Sequence, residues 1–325
     1  MAVPSTLSTC AAAAAVLLLA ACGGPAPTSA SAPAGEPGFP VTIEHAFGST
    51  TIPAAPSRIV ALSFEEDVLS RIGLTTVGHL DNLVEPGVPY AWQVGEVDLS
   101  TSRALGDPGG AIGLEEVAAL DPDLILATNY FALEDVYEGL SAIAPTVGFR
   151  TGWGEASWQD TARVIGQAVG REAAVEEQVA EVEAYVDALA AELPGLQGRT
   201  FSSVYNYEPG MFAVDTNPQG HTARLLGELG MSLSPRIVAE VENRSLSAER
   251  IGLIDADLVG LGFAGDELRA ELTASPLYRA LPAVQDRRVH LSDVDGATAG
   301  NNPTLLNVRW NLEQQRPVLE RVAAS

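Results

Sequence analysis

The sequence predicts an α/β protein built as two α/β lobes joined by a long helix. Three observations carry this. Short apolar runs alternate with helical stretches from residue 41 to the end of the chain. One stretch, over 157–192, is much longer than any other helical stretch. A pattern of helix, turn and strand recurs once on either side of it.

Residues 41–43 and 50–52 flank Gly48 and form a candidate hairpin. Arg58-Ile59-Val60-Ala61-Leu62 is a short apolar run suited to a buried strand, and a helix through Val68, Leu69 and Ile72 follows it and stops at Gly73. Thr76-Val77-Gly78-His79 is the next strand. A helix over 114–120 is broken by Asp121-Pro122 before a strand at 124–127. A helix over 133–143 and a strand from Pro145-Thr146-Val147 complete the first lobe. Such alternation needs crossover connections and therefore a mostly parallel sheet.

Ser157 and Asp160 form a Ser-x-x-Asp cap at the start of the long stretch. Val164, Ile165, Ala168, Val169, Val175, Val179, Val182, Val186 and Leu189 then recur at three- and four-residue spacing. Gly170 is a candidate break into a short and a long helix, and Pro194-Gly195 ends the stretch. Alternation resumes with strands at 201–205 and 211–214, helices at 222–229 and 248–254, and a strand at 258–261. A helix at 266–273, a strand at 289–291 and a helix at 305–322 follow.

The repeat supports the two-lobed division. Residues 112–125 read IGLEEVAALDPDLI and residues 246–259 read LSAERIGLIDADLV. At one constant offset, Glu115 aligns with Glu249, Asp121 with Asp255, Asp123 with Asp257 and Leu124 with Leu258. Duplicated lobes flanking a cleft are suited to holding a ligand.

Composition narrows the function classes. The chain has 325 residues, 42 acidic against 18 basic side chains and a formal charge of −24; every basic residue is Arg. This balance opposes non-specific binding to nucleic acid and docking on anionic lipid, both of which need a basic surface. An apolar content of 46% can fill a core. Both cysteines, Cys10 and Cys22, lie in the first 22 residues, so the body carries no disulfide and no thiolate metal site. No G-x-S-x-G, H-E-x-x-H or G-x-x-x-x-G-K-[ST] motif is present, and the expectation is no enzyme.

Residues 11–21, AAAAAVLLLAA, are too short to span a bilayer and fit the apolar core of a secretory leader, although no Arg or Lys precedes them. Leu19-Ala20-Ala21-Cys22, followed by Gly23-Gly24, resembles a bacterial lipobox, whose Cys is lipidated and becomes the new N-terminus. Residues 23–40 hold Gly, Pro, Ala, Ser, Thr, one Glu and one Phe, the composition of a flexible tether. The expected organisation is a leader over 1–21, a tether over 22–40, an N-terminal lobe over 41–155, a connecting helix over 156–194 and a C-terminal lobe over 195–325. Cys22 would hold the protein on the outer face of a bacterial cell membrane, through lipid only.

Over about residues 41–325 the chain resembles the helical-backbone class of substrate-binding proteins of ABC importers, which carry ferric siderophores, haem and cobalamin. The resemblance rests on Pro56-Ser57-Arg58-Ile59-Val60-Ala61-Leu62, Leu74-Thr75-Thr76-Val77-Gly78, the 114–125 segment, Ala142-Ile143-Ala144-Pro145-Thr146, Ser247-Ala248-Glu249-Arg250-Ile251 and the 275–284 segment, in this order and spacing. It implies two doubly wound α/β lobes joined by a long rigid helix, a ligand cleft between the lobes, and only slight closure on binding. It also implies that Glu115 and Glu249 dock on arginines of the membrane permease. Alone, each would be explained by a helix first turn, where a carboxylate gains about 0.3–1 kcal/mol from the helix dipole. The implied partners are a ferric siderophore and an ABC permease with its ATPase, with no nucleic acid. The implied state is a monomer without a resident cofactor, the iron chelate being cargo.

In doubly wound lobes, ligands meet the carboxyl ends of strands. That rule selects Phe64 and Glu65, Asn129 and Tyr130, and Tyr205 and Tyr207. Trp153 near the hinge, Tyr90 and Trp92 in a Pro/Gly-rich loop, and Arg244 ahead of the second repeat copy complete the candidate ligand-binding set. Tyr and Trp offer apolar faces with a donor, suited to a bulky chelate. Tyr130 matches a position where hydroxamate binders of this family place a Tyr. Two features depart from them: Asp107-Pro108-Gly109-Gly110 stands where a guanidinium precedes the first docking Glu, with Arg103 near but not aligned, and the late loop over 293–302 lacks aromatics. The acidic balance and few cleft arginines favour a ferric hydroxamate over a polyanionic catecholate. Two alternatives stay open: haem or cobalamin, with Tyr130 or His79 as an axial ligand for haem, and a bare metal ion held by His45, His79, His221 and His290, which show no paired spacing.

Overall fold

A computed structural model describes residues 38–83, 85–106 and 112–325. The leader over 1–21, Cys22, most of the tether and the Asp107–Gly110 segment lie outside the described residues. Among the described residues no helix is long and apolar enough to cross a membrane.

An antiparallel ribbon, β1 (Val41–His45) and β2 (Gly48–Ile52), leads into the first lobe. That lobe comprises β3 (Ile59–Ala61), α1 (Glu65–Arg71), β4 (Gly78–His79), β5 (Arg103–Ala104), α2 (Leu114–Ala118), β6 (Leu124–Ala127), α3 (Leu133–Ile143) and β7 (Thr146–Gly148). Its strands run in the order β5-β4-β3-β6-β7, every pair parallel. The chain starts in the middle, winds outward to one edge, then returns to wind to the other. The order reverses between β3 and β6, and a crevice opens at their carboxyl ends.

The stretch expected as one connecting helix is two. α4 (Trp158–Ala168) starts at Ser157, whose hydroxyl accepts the Asp160 N–H at 3.0 Å, and α5 (Glu172–Glu192) follows. The break falls at Gly170, which has a φ of 63° and whose missing Cβ leaves room for the Phe39 ring. Val175, Val179, Val182, Val186 and Leu189 form the buried stripe of α5 that their spacing predicts.

The second lobe holds β8 (Thr200–Glu208), β9 (Met211–Val214), α6 (His221–Glu228), β10 (Ser232–Leu233), α7 (Pro235–Glu240) and β11 (Ser245–Ser247). A 3-10 helix (Ala248–Ile254), β12 (Leu258–Phe263), α8 (Asp266–Ala274), α9 (Pro276–Arg279), α10 (Pro282–Gln285), β13 (Val289–Leu291), α11 (Val294–Asn301) and α12 (Asn307–Ala323) complete it. The sheet order is β11-β9-β8-β12-β13, with β10 also on β8. The pairs β8–β10, β8–β12 and β12–β13 are parallel, as expected, whereas β8–β9 and β9–β11 are antiparallel, because β8 turns straight back at Gly210 without a crossover helix. The 248–254 helix is 3-10 rather than α. Residues 293–302, read from sequence as a loop, contain α11, which Asp293 caps by accepting the Gly296 N–H at 2.9 Å.

The largest apolar cluster joins the ribbon, α4, α5, α6 and α12, and so packs against both lobes. Each lobe adds a core of its own around its sheet. A smaller cluster of Phe64, Tyr90, Trp92 and Ala299, backed by Leu306 and Trp310, ties the first lobe to the start of α12.

The repeated aspartates have a structural role in common. Asp123 accepts the backbone N–H groups of Ser57 and Arg58, both at 2.8 Å, just before β3. Asp257 accepts the Thr200 N–H at 2.8 Å and hydroxyl at 2.9 Å, at the start of β8. Each therefore pins the first strand of its lobe to the strand beside it. Burial opposes ionisation of Asp257, but the Thr200 donors and Arg199 outweigh it and hold the carboxyl below its usual range. Asp257→Ala should cost about 1–3 kcal/mol at pH 7 in a denaturant melt. The loss should shrink as pH falls, because a carboxylate with a lowered folded pKa stabilises only while ionised. An equal loss at pH 3 and pH 7 would contradict this role.

Candidate functional site

The cleft is built from the carboxyl ends of β3 and β6 on one side and, on the other, from the face of β8 up to Tyr205 and the end of β9, which runs antiparallel to it. After β3, Phe64 adopts a left-handed backbone (φ 67°) that caps α1 and turns its ring against Tyr90, 5.4 Å away edge-on. Glu65, selected by its place after the first strand, is consumed by the fold. Its carboxylate accepts the Ser63 N–H at 2.7 Å, the Thr128 N–H at 2.6 Å and the Thr128 hydroxyl at 2.8 Å, clamping the two strand ends together. Asn129 donates to Asn302 at 3.2 Å and accepts the Gly154 N–H at 3.0 Å, fixing three segments that meet at the hinge.

Two chambers open from these ends. The first, of about 300 Å³, has aromatic walls: Phe64, Tyr90, Tyr130, Phe131, Trp153 and Tyr205, with Leu83 at its edge and Asn129 on its floor. Among the described residues no charged side chain lines it. Phe131 and Trp153 meet edge-to-face at 5.6 Å and are 63% and 42% exposed, a large apolar surface left to water at the mouth. Phe131 follows Tyr130 directly, and only the fold shows that it flanks the opening.

The second chamber, of about 380 Å³, lies over the C-terminal sheet. Asp215, His221, Arg244 and His290 line it, together with Asn301, Asn302, Asn311 and Gln315. Trp153, Tyr205, Asn301 and Asn302 border both chambers. Tyr205 can lie flat on the sheet because its partner in β12 is Gly262, where a Cβ would come within 3.1 Å of the ring.

The structure thus gathers Phe64, Tyr90, Asn129, Tyr130, Trp153 and Tyr205 around one chamber and adds Arg244 in the other. It sets two of the selected residues apart. Trp92 lines neither chamber; it stacks behind Tyr90 at 4.6 Å and donates its indole N–H to Asp67 at 2.9 Å. Tyr207 is 41% exposed and also lines neither; it lies two residues beyond Tyr205 along β8, where the pairing with β9 shifts register between Asn206 and Glu208. Asp215 was missed: it follows β9, whose antiparallel course sets it beside Ser203 of β8, where a rule for the ends of parallel strands does not look.

Desolvation holds all four histidines below their usual pKa, His221 down to about 4. His45 pairs with Thr50, and His79 with Ser102. His221 and His290 face the second chamber, and among the described residues neither ring nitrogen of His221 makes a hydrogen bond of ordinary geometry. Among the described residues no group of three or more His, Cys, Asp or Glu is placed to hold a metal ion.

Behind the aromatic wall lies a buried acidic pair at the start of α1. Asp67 accepts from Trp92, from Gln93 at 2.7 Å and from Thr304 at 2.6 Å, which links the Tyr90 loop to the segment before α12. Burial raises its pKa to about 6 against the pull of these bonds. Glu66 is pushed up further by burial and by the Asp67 charge; its Oε1 accepts from Gln93 at 3.2 Å and its Oε2 has no partner.

Glu115 and Glu249 lie away from the cleft walls, exposed in the first turns of α2 and of the 3-10 helix. The Glu249 carboxyl is held below its usual range by its own N–H and by the Ser247 hydroxyl. Beside Glu115, Glu116 faces Arg103 at 3.8 Å.

A family model described as periplasmic binding protein matches residues 71–294. The chain is 27% identical over 255 residues to the Fe(3+)-citrate-binding protein YfmC of Bacillus subtilis, covering 76% of each chain. It is 26% identical over 272 residues to the ferric-anguibactin-binding protein FatB of Vibrio anguillarum, covering 79% of this chain and 80% of the relative. A periplasmic solute binding protein from Mycobacterium smegmatis superposes with a TM-score of 0.73 at 28% identity, covering 87% of this chain and 98% of that one. With this match, this two-lobed architecture and a cleft lined for holding a ligand, the chain belongs to the periplasmic binding protein family, whose members bind substrates for transport and are not enzymes.

Proposed function

We propose that this protein captures a ferric siderophore of low net charge, with a hydroxamate type as the best fit, and delivers it to the permease of an ABC importer. The observation that carries the reading is the aromatic chamber, in whose wall no charged side chain stands among the described residues. Such a wall suits the face of a bulky, nearly neutral chelate, whereas a polyanionic catecholate complex would lose its hydration there without gaining basic partners. The names of the relatives, which include ferric-chelate binders, support the substrate class. In this reading Phe64, Tyr90, Asn129, Tyr130, Trp153, Tyr205 and Arg244 contact the ligand, the protein works as a monomer without a resident cofactor, Cys22 carries the lipid anchor, and Glu115 and Glu249 dock on the permease.

Titration of the purified protein by tryptophan fluorescence with ferric trihydroxamates and ferric catecholates tests the reading. Trp153 is the natural reporter because it borders both chambers and is partly exposed. Saturable quenching by the trihydroxamate is expected. Trp153→Ala should weaken binding about tenfold and remove much of the signal, the effect of deleting an aromatic anchor at a pocket mouth. Exclusive binding of catecholate, or a haem absorption band on the purified protein, would overturn the assignment.

A further inference from the structure

Among the described residues, Asp215 and Arg244 are the charged side chains facing the two chambers at neutral pH, since burial keeps His221 and His290 neutral. The two charges are not equivalent. Arg244 is exposed at the rim, where water and salt screen it. Asp215 is half-buried at the end of β9. Its Oδ1 accepts the Asn217 N–H at 3.1 Å, and among the described residues no basic nitrogen lies within ion-pair distance of it. A carboxylate placed in this way has lost part of its hydration, while Arg244 acts on it only from beyond ion-pair distance. His221 and His290, uncharged beside it, add no cation to the chamber beyond Arg244 at its rim.

We propose that the second chamber takes a protonated amine arm of the bound chelate, with Asp215 as its counter-ion, while the iron-bearing end rests among the aromatic residues of the first. The chambers meet at Trp153 and Tyr205, so one ligand can occupy both. An ammonium beside Asp215 would give it a direct ion-pair partner, which Arg244 is not, and donate hydrogen bonds to it, a charge-assisted contact stronger than a neutral one.

This inference rests on the siderophore reading, and one experiment separates the two. Three ferric complexes of the same linear trihydroxamate are titrated against the full-length protein: one with a free terminal amine, one with that amine acetylated, and one with it succinylated to end in a carboxylate. The amine form should bind about tenfold or more tighter than the acetylated form, and Asp215→Asn should remove the preference while leaving the acetylated form unaffected. Equal binding of the amine and acetylated forms to the wild-type protein overturns the amine arm but not the siderophore reading. Tightest binding of the succinylated form also overturns it, in favour of Arg244. Binding of none of the three overturns both. The wild-type comparison decides the matter even if Asp215→Asn fails to fold.

Discussion

Replacing Glu115 and Glu249 together by Ala is expected to abolish uptake while leaving chelate affinity unchanged. Both carboxylates are exposed and line neither chamber, so truncation should not disturb the cleft. Each sits in the first turn of a short helix leading into the strand beside the first strand of its lobe: α2 into β6, which pairs with β3, and the 3-10 helix into β12, which pairs with β8. The repeat thus presents one carboxylate per lobe on a frame that the shared apolar cluster keeps rigid. Two charges at a fixed separation select both position and orientation of a basic partner, so register as well as attraction depends on them. Each single variant should lose part of the uptake of radiolabelled ferric chelate, and the pair should fall to the level of cells lacking the protein. Unimpaired uptake by the double variant would end the docking assignment. Weakened chelate binding would mean that the substitutions had damaged the fold instead.

Glu66→Gln is expected to stabilise the protein at pH 8 and to change little at pH 5. An acid whose folded pKa is raised stabilises the fold only while protonated. Its contribution is complete below the unfolded pKa and is lost as pH rises through the folded one. For Asp67 the window runs from 3.8 to about 6, and for Glu66 it begins at 4.5 and extends upward. Above it, two carboxylates share a dry site with Glu65 close by, and burial and mutual repulsion both act against them. Gln keeps the Oε1 acceptor for Gln93 and removes the charge. A gain of about 1–3 kcal/mol at pH 8 is expected, which for a chain of this size is a rise in Tm of about 2–4 °C per kcal/mol. Thermal melts of both proteins from pH 5 to pH 8 measure it. A gain independent of pH, or a loss at pH 8, would contradict the account. Asp67→Asn should behave differently, because Asp67 accepts from three donors on two oxygens and an amide nitrogen would face one of them.

Much of the architecture was legible in the sequence because it is fixed by local periodicity. The valine stripe of α5, the Ser157 cap and the strands at 124–127 and 211–214 follow from residue spacing and capping chemistry over a few positions. What failed were features set by distant partners. α11 has little apolar periodicity and was read as loop, and the antiparallel returns of β9 and β11 depend on which strand lies beside β8. The break at Gly170 could be anticipated from its residue type, whereas the Phe39 ring that fills the space there could not.

The cleft divides in the same way. Strand-end positions such as Phe64, Asn129 and Tyr130 were found in sequence because a parallel lobe must present the residues after its strands at one edge. By itself the sequence determined the acidic, all-Arg body with no cysteine, the two repeated lobes and the aromatic character of their strand ends. Only the tertiary structure decided that Glu65 is spent on clamping β3 to β6, that Trp92 stands behind Tyr90, and that Phe131 and Asp215 face the ligand space. The physical reason is that a residue's type sets what it can offer, a ring face, a donor or a charge. Whether that offer goes to a neighbouring strand or to a ligand depends on contacts between segments far apart in the chain, and those exist only once the lobes have packed.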